Sequence, residues 1–190
     1  MRIFNLNIRA SLSSVELRRA LRGLWALALL SSALAFAGCK SSGAYEQSVY
    51  SDRLVRFSVD PPEEGFERIR IDGESGLAWA NDEGAVIQVH ARCDRALDIP
   101  LAALKAHLLI GFTEREEIEE RLLPMDSREA LETHLRAKVD GVTRELILRI
   151  LKKDGCVYDL ALIAGPGAPF NRARPHFERV ATSFTTEIPR

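Results

Sequence analysis

Cysteine, histidine and methionine are scarce in this chain of 190 residues, which has three, four and two of them. Three cysteines are too few for a disulfide-framed mini-protein or a four-thiolate zinc module. Four histidines scattered through the sequence supply neither a metal cluster nor a set of general bases. An excess of one charge is missing as well, since 26 basic residues face 27 acidic ones. Nucleic acid is therefore not an expected partner, because phosphate binding needs a concentrated basic patch. Phosphate-loop signatures are absent too: Gly165-Pro166-Gly167 has no Lys-Ser or Lys-Thr after it, and Gly73-Glu74-Ser75-Gly76 is one residue short of a nucleophile elbow. The longest apolar stretch, Leu24 to Ala37, has fourteen residues, short of the about 20 that cross a bilayer.

That apolar stretch is the most informative feature present. Arg9, Arg18, Arg19 and Arg22 make a positive region ahead of it, and it closes on Leu34-Ala35-Phe36-Ala37-Gly38-Cys39. The segment resembles the lipobox of bacterial lipoproteins, which implies a diacylglycerol on the Cys39 sulfur, cleavage after Gly38 and acylation of the new amine. Ala35-Phe36-Ala37 is also an A-x-A site, so cleavage after Ala37 to a soluble secreted protein is the alternative. Cysteine parity separates the two. Lipidated Cys39 leaves Cys93 and Cys156 as an even pair in an oxidising compartment, whereas a soluble product carries a third, free thiol. Cys93 and Cys156 are then either a disulfide or two buried thiols. By resemblance to enterobacterial lipoproteins, Lys40 after the cysteine favours the outer over the inner membrane.

The organisation expected is a signal peptide over 1–38, a lipidated cysteine and flexible tether over 39–52, and a single domain over 53–190. The tether is expected from its Ser, Gly, Tyr, Gln and charged composition, with a reach of roughly 20 Å that lets the domain work away from the lipid surface. Cleavage before Cys39 removes five arginines and one glutamate, leaving 21 basic and 26 acidic residues and a net charge of −5.

Within the domain the periodicity is mostly that of strands. Leu131, Thr133, Leu135, Ala137 and Val139 alternate with Glu132, His134, Arg136, Lys138 and Asp140, the pattern of a strand with one buried and one solvated face. Gly141 offers a turn, Leu146, Leu148 and Ile150 continue the period of two, and Asp154-Gly155 turns the chain into Cys156, Tyr158, Leu160 and Leu162. Earlier come Val55, Phe57 and Val59, then Ile69 and Ile71, then Leu77 and Trp79, then Ile87, Val89 and Ala91, separated by Asp60-Pro61-Pro62, Asp72-Gly73 and Asp82-Glu83-Gly84. Two segments have helical spacing. Asp98 is expected to cap a helix carrying Leu101, Leu104, Leu108 and Phe112. A second carries Phe170, Ala173, Phe177, Val180, Ala181 and Phe184, and Pro175 suggests that its regular part begins close to that residue. There is room for an extra strand around Ile118 to Leu123. The fold class is α+β, an antiparallel sheet flanked by helices in one domain.

The opening Arg56-Phe57-Ser58-Val59-Asp60-Pro61-Pro62-Glu63-Glu64-Gly65-Phe66, the first helix about forty residues on, the long hairpin, and the ending Phe177-Glu178-Arg179-Val180-Ala181-Thr182-Ser183-Phe184 resemble the PsbP and DcrB-like α/β/α sandwich. The resemblance implies that fold and a binding or assembly role. It carries no catalytic residues and no cofactor.

Candidate chemistry is thin. His90 and Cys93 form H-x-x-C, but three residues apart on a strand they fall on opposite faces. His134 among Glu132, Arg136 and Lys138 reads as part of a solvated face, and His107 and His176 stand alone on helices. Glu114, Glu116, Glu117, Glu119 and Glu120 lack calcium-loop spacing and, with Arg115 and Arg121 among them, read as solvated. The expected function is non-enzymatic, with no catalytic, metal or cofactor site: a lipid-anchored module whose partner is an envelope protein. The alternative is a carrier or sensor of a small apolar ligand, held between sheet and helix by Leu104, Leu108, Phe112 and Phe177.

Overall fold

The computed structural model describes residues 43–71 and 75–187. The signal segment, Cys39 and the first residues of the expected tether lie outside that range, as do Asp72, Gly73 and Glu74.

Two antiparallel sheets and two helices make up the described chain. The small sheet has the order β1 (Ala44–Glu46), β2 (Val49–Ser51), β3 (Arg56–Ser58). The large sheet joins β4 (Phe66–Ile69), β5 (Ser75–Asn81), β6 (Val86–Arg92), β7 (Thr113–Met125), β8 (Arg128–Val139), β9 (Val142–Lys153) and β10 (Cys156–Ala164), in the order β4-β5-β6-β10-β9-β8-β7. Helix α1 spans Leu101–Leu108 and α2 spans Ala168–Ser183. The expected α+β sheet flanked by helices is the observed architecture.

The long meander β7 to β10 follows from its turns. Asp140-Gly141 and Asp154-Gly155 both have positive φ, 50° and 78° in the first pair and 53° and 75° in the second, as two-residue turns that match strand twist require. Asp126-Ser127 does the same without glycine, at 46° and 62°. With Val139 opposite Val142, the register then pairs Leu135 with Leu146 and Glu132 with Arg149.

Each face of the large sheet has its own cover. Leu104 packs with Ile150 and Val157, and Leu109 with Leu135, Ala137, Leu146 and Leu148, so α1 seals the β8–β9 side of one face. On the other face, Phe170, Ala173, Phe177, Val180 and Ala181 of α2 meet Ile87, Val89, Leu160, Leu162 and Ile147. The small sheet extends that cover, with Phe57 stacked on Tyr50 at 4.9 Å and within 5.5 Å of Phe184.

Four expectations need correction. Residues 44–51, read as tether, form β1 and β2. Composition concealed the hairpin because its turn, Gln47-Ser48, lacks glycine, yet Tyr50 is 2% exposed and its burial fixes the segment. Asp98 does not cap α1. Pro100 occupies that position without a side-chain cap, and Asp98 instead accepts from Lys152 at 2.7 Å. Phe112 lies beyond the end of α1 and still joins its apolar cluster. Helix α2 starts at Ala168, seven residues before Pro175, which sits exposed inside it. A mid-helix proline costs about 3 kcal/mol. Four buried side chains flanking it, Phe170, Ala173, Phe177 and Val180, outweigh that at about 1.5–3 kcal/mol for each large one.

Candidate functional site

Strands β6 and β10 bring together the residues with the most unusual surroundings. Their register places Arg92 opposite Val157 and His90 opposite Asp159. One step further along, Cys93 and Cys156 form a disulfide with Cα atoms 4.1 Å apart. The H-x-x-C pair is thus separated, Cys93 into the bridge and His90 toward Asp159. A cleft of about 500 Å³ opens beside the bridge at this end of the sheet. Leu97, Val157 and Cys156 give it apolar walls, while Asp98, Arg128 and Lys152 stand among its charged lining residues.

The two lysines at the cleft are committed to ion pairs. Lys152 donates to Asp98 and, at 3.0 Å, to the Ile99 carbonyl. Lys153 donates to the Asp126 carbonyl at 3.0 Å and to Glu187 at 2.8 Å. Asp126 in turn accepts from the Thr185 and Thr186 hydroxyls at 2.7 and 2.9 Å. Burial raises the Asp126 carboxyl, but these hydroxyls, the Thr186 amide and Lys153 together hold it below its ordinary value. The constellation pins the segment after α2 to the β7–β8 turn.

Asp159, further along β10 and not in the cleft lining, is less completely paired. It is 2% exposed and accepts from Arg92 at 2.6 Å through Oδ2, while its Oδ1 and the Arg92 Nε have no hydrogen-bond partner among the described residues. Burial pushes its carboxyl up, and the charges of Arg92 and His90 only partly offset that. A buried carboxylate with a raised affinity for protons is a feature that marks functional sites as well as structural pairs.

An ionic layer lies between the large sheet and α2. Glu132 accepts from Arg149 through Oε2 and from Arg121, at 2.7 Å, through Oε1. Arg149 also donates to Glu178 of α2 at 2.8 Å and lies over the Phe177 ring at 5.4 Å. Beside it, His134 stacks on Phe170 at 5.0 Å, with its Nε2 2.9 Å from Glu145. This overturns the reading of Glu132 and His134 as members of a solvated face. The cross-strand pairs neutralise the layer, so a helix can cover it. The sign alternation of Glu132 with Arg149 and of Arg136 with Glu145 was legible once Asp140-Gly141 fixed the register.

The other singled-out residues stay apart. His107 is exposed on α1, and His176 packs on Phe66 at 5.1 Å. The five glutamates of the acidic run are exposed along β7, where Glu114 meets Lys138 at 2.7 Å and Glu117 meets Lys105 at 2.8 Å. Gly167 is the residue before α2, and Ser75 begins β5. Cys39 is outside the described residues.

No protein-family model matches the chain, and no curated protein matches it. Among solved structures the chain is similar to cyanobacterial PsbP (CyanoP) from Synechocystis sp. PCC 6803, at 14% identity and a TM-score of 0.49, over 79% of this chain and 98% of that one. It is similar to LpqN, involved in cell envelope biogenesis of Mycobacterium tuberculosis, at 12% identity and a TM-score of 0.49, over 76% and 88% of the two chains. PA94, a protein of unknown function from Pseudomonas aeruginosa, matches at 13% identity and 0.47, over 75% and 96%. Values this low assign this chain neither a family nor an activity.

Proposed function

We propose that this protein is exported, anchored in the cell envelope by lipid on Cys39, and acts there as a non-enzymatic interaction or assembly module, with the outer membrane the favoured site. The observation that carries this reading is the Cys93–Cys156 disulfide. It uses both cysteines of the domain, which suits an oxidising compartment, and it leaves Cys39 unpaired for modification. At the cleft, Lys152 and Lys153 are taken up in holding Asp98, Asp126 and Glu187. The carrier reading in its expected form is disfavoured, because Leu104 and Phe177 are fully buried core and Leu108 and Phe112 pack on α1's cluster. A small-ligand role would fall to the cleft beside the disulfide instead.

Metabolic labelling with a palmitate analogue tests the anchor. Label is expected on the wild type and absent from Cys39→Ser. An unlabelled wild type beginning at Gly38 would reject lipidation in favour of a secreted protein. Crosslinking in native membranes tests the module, and the expected result is a reproducible envelope partner that is lost when 53–190 is deleted.

A further inference from the structure

The strands β1 to β3 leave little chain between the expected lipid and the folded domain. Cys39 is four residues before Gly43, the first described residue, so the two are separated by at most about 14 Å of extended chain. Such a link keeps the domain close to the membrane, and the end of the small sheet at Ala44 is the part it brings nearest the surface.

The register identifies that end. Ala44, Ser51 and Arg56 stand in one row across the three strands, so Arg56 is about 10 Å from the point of entry. The turn from β2 to β3 lies on the same side and presents Arg53 and Leu54, and Leu54 is 70% exposed. The adjacent Asp52 shapes the turn, its carboxylate accepting from the Tyr50 hydroxyl at 2.9 Å and from the amides of Leu54 and Val55 at 2.7 and 2.9 Å, and these neutral donors leave its charge in place, so it offsets one of the two arginines. Arg68 lies over the ring of Tyr45 at 5.1 Å, and that ring runs toward the hairpin end, where its hydroxyl donates to the Val59 carbonyl at 2.8 Å, so Arg68 is not part of this end. Among the described residues neither Arg53 nor Arg56 has an ion-pair partner, although the domain as a whole is acidic. Glu46 is at the opposite, hairpin end of β1.

We infer that this end of the small sheet docks on anionic phospholipid: Arg53 and Arg56 sit among headgroup phosphates, and Leu54 enters the boundary with the acyl chains. An apolar residue flanked by arginines fits that interface, where stems and side chains bury while guanidinium groups stay at the phosphates. Each arginine brought to an anionic surface strengthens association about five-fold. The inference rests on the lipid anchor proposed above.

The test uses full-length lipidated protein reconstituted into vesicles of phosphatidylcholine with phosphatidylglycerol, the lipids carrying bromine on their acyl chains. Flotation with the vesicles reports the anchor, and quenching of tryptophan in Leu54→Trp reports docking. The buried Trp79 gives the unquenched background, and Ile110→Trp, at the far end of the sheet, is the control. The expected result is flotation of every variant with quenching confined to Leu54→Trp. Adding Arg53→Glu and Arg56→Glu is expected to shift the docked population by more than about 25-fold, since the repulsion of two glutamates adds to the loss of two arginines, and to abolish quenching, as are vesicles of phosphatidylcholine alone. Flotation without quenching, or equal quenching at positions 54 and 110, overturns the docking and leaves the anchor standing. Quenching that survives both charge reversals overturns the role of the arginines. Failure of the wild type to float overturns the anchor and the docking with it.

Discussion

Glu132 and Asp159 are both buried carboxylates on the large sheet, on opposite faces, and their surroundings drive them in opposite directions. Glu132, under α2, has a guanidinium on each oxygen, and the combined effect of Arg149 and Arg121 outweighs burial, so its carboxyl is held below its ordinary value. Asp159 has one guanidinium on one oxygen, and burial prevails. Burial alone does not decide whether a charge inside a protein stabilises it. What decides is whether every lone pair is answered, since an unanswered polar group in the interior bears its full desolvation cost. The two faces are built accordingly, the α2 face joining an apolar core over β6 and β10 to a cross-linked ionic layer over β8 and β9, the other chiefly as an apolar seam under α1.

Breaking the ionic layer has the largest expected effect. Arg149→Ala leaves Glu132 with Arg121 as its remaining guanidinium and takes from Glu178 its direct ion-pair partner, and a loss of about 3–5 kcal/mol is expected, as for other broken buried pairs. Denaturant titration measures it. Replacing both members, as Glu132→Leu with Arg149→Met, is expected to cost far less, because no charge is then stranded. A small effect of Arg149→Ala alone would mean that the layer is effectively solvated and the comparison empty.

On the opposite face the corresponding cut is Leu104→Ala. Leu104 is fully buried against Ile150 and Val157, and truncation should cost about 2–5 kcal/mol without altering the pH dependence of stability. The same denaturant titration, repeated across pH, separates this apolar loss from the ionic one.

The carboxylates themselves sharpen the contrast through pH. The Glu132 pKa is lowered on folding, so its contribution is complete above its ordinary value of 4.5 and is lost as pH falls through the depressed native value. Asp159 is the reverse. Its native pKa is raised, so the stability it contributes is present below its ordinary value of 3.8 and is lost as pH rises through the native value. Relative to wild type, Glu132→Gln should therefore become more costly between pH 3 and 7, and Asp159→Asn less costly or stabilising, each by about 1.4 kcal/mol for every tenfold change in proton affinity on folding. Thermal or denaturant curves over that range would show it, and parallel curves for the two variants would remove the distinction.

How much of this was legible in the sequence differs between the faces. The apolar side of β8, with Leu131, Leu135 and Ala137, follows from period-two alternation and is buried. The same rule assigned Glu132 and His134 to solvent, because alternation reports polarity and not coverage. Coverage depends on α2, whose path over β8 and β9 is set by elements distant in sequence. The disulfide was open as one of two outcomes, since cysteine parity and compartment allow a bridge but only the β6–β10 register brings Cys93 to Cys156. The first hairpin was illegible for a different reason. Gln47-Ser48 is a poor turn signal, and the burial of Tyr50 that holds it depends on Phe57 and on long-range packing.

The smallest expected effect lies on β7, the edge strand where exposure is real. Glu114 is 67% exposed at its side chain and pairs with a Lys138 that is 35% exposed. Water screens such a pair and holding both side chains offsets its attraction, so Glu114→Gln should change stability by at most about 0.5 kcal/mol. Its value is as a reference for Glu132→Gln, which makes the same chemical change one strand away. If the two substitutions cost the same in equilibrium unfolding, the cover supplied by α2 contributes nothing to the electrostatics beneath it. A gap of several-fold, narrowing as pH falls through the range where the Glu132 carboxyl protonates, is what a sealed ionic layer requires.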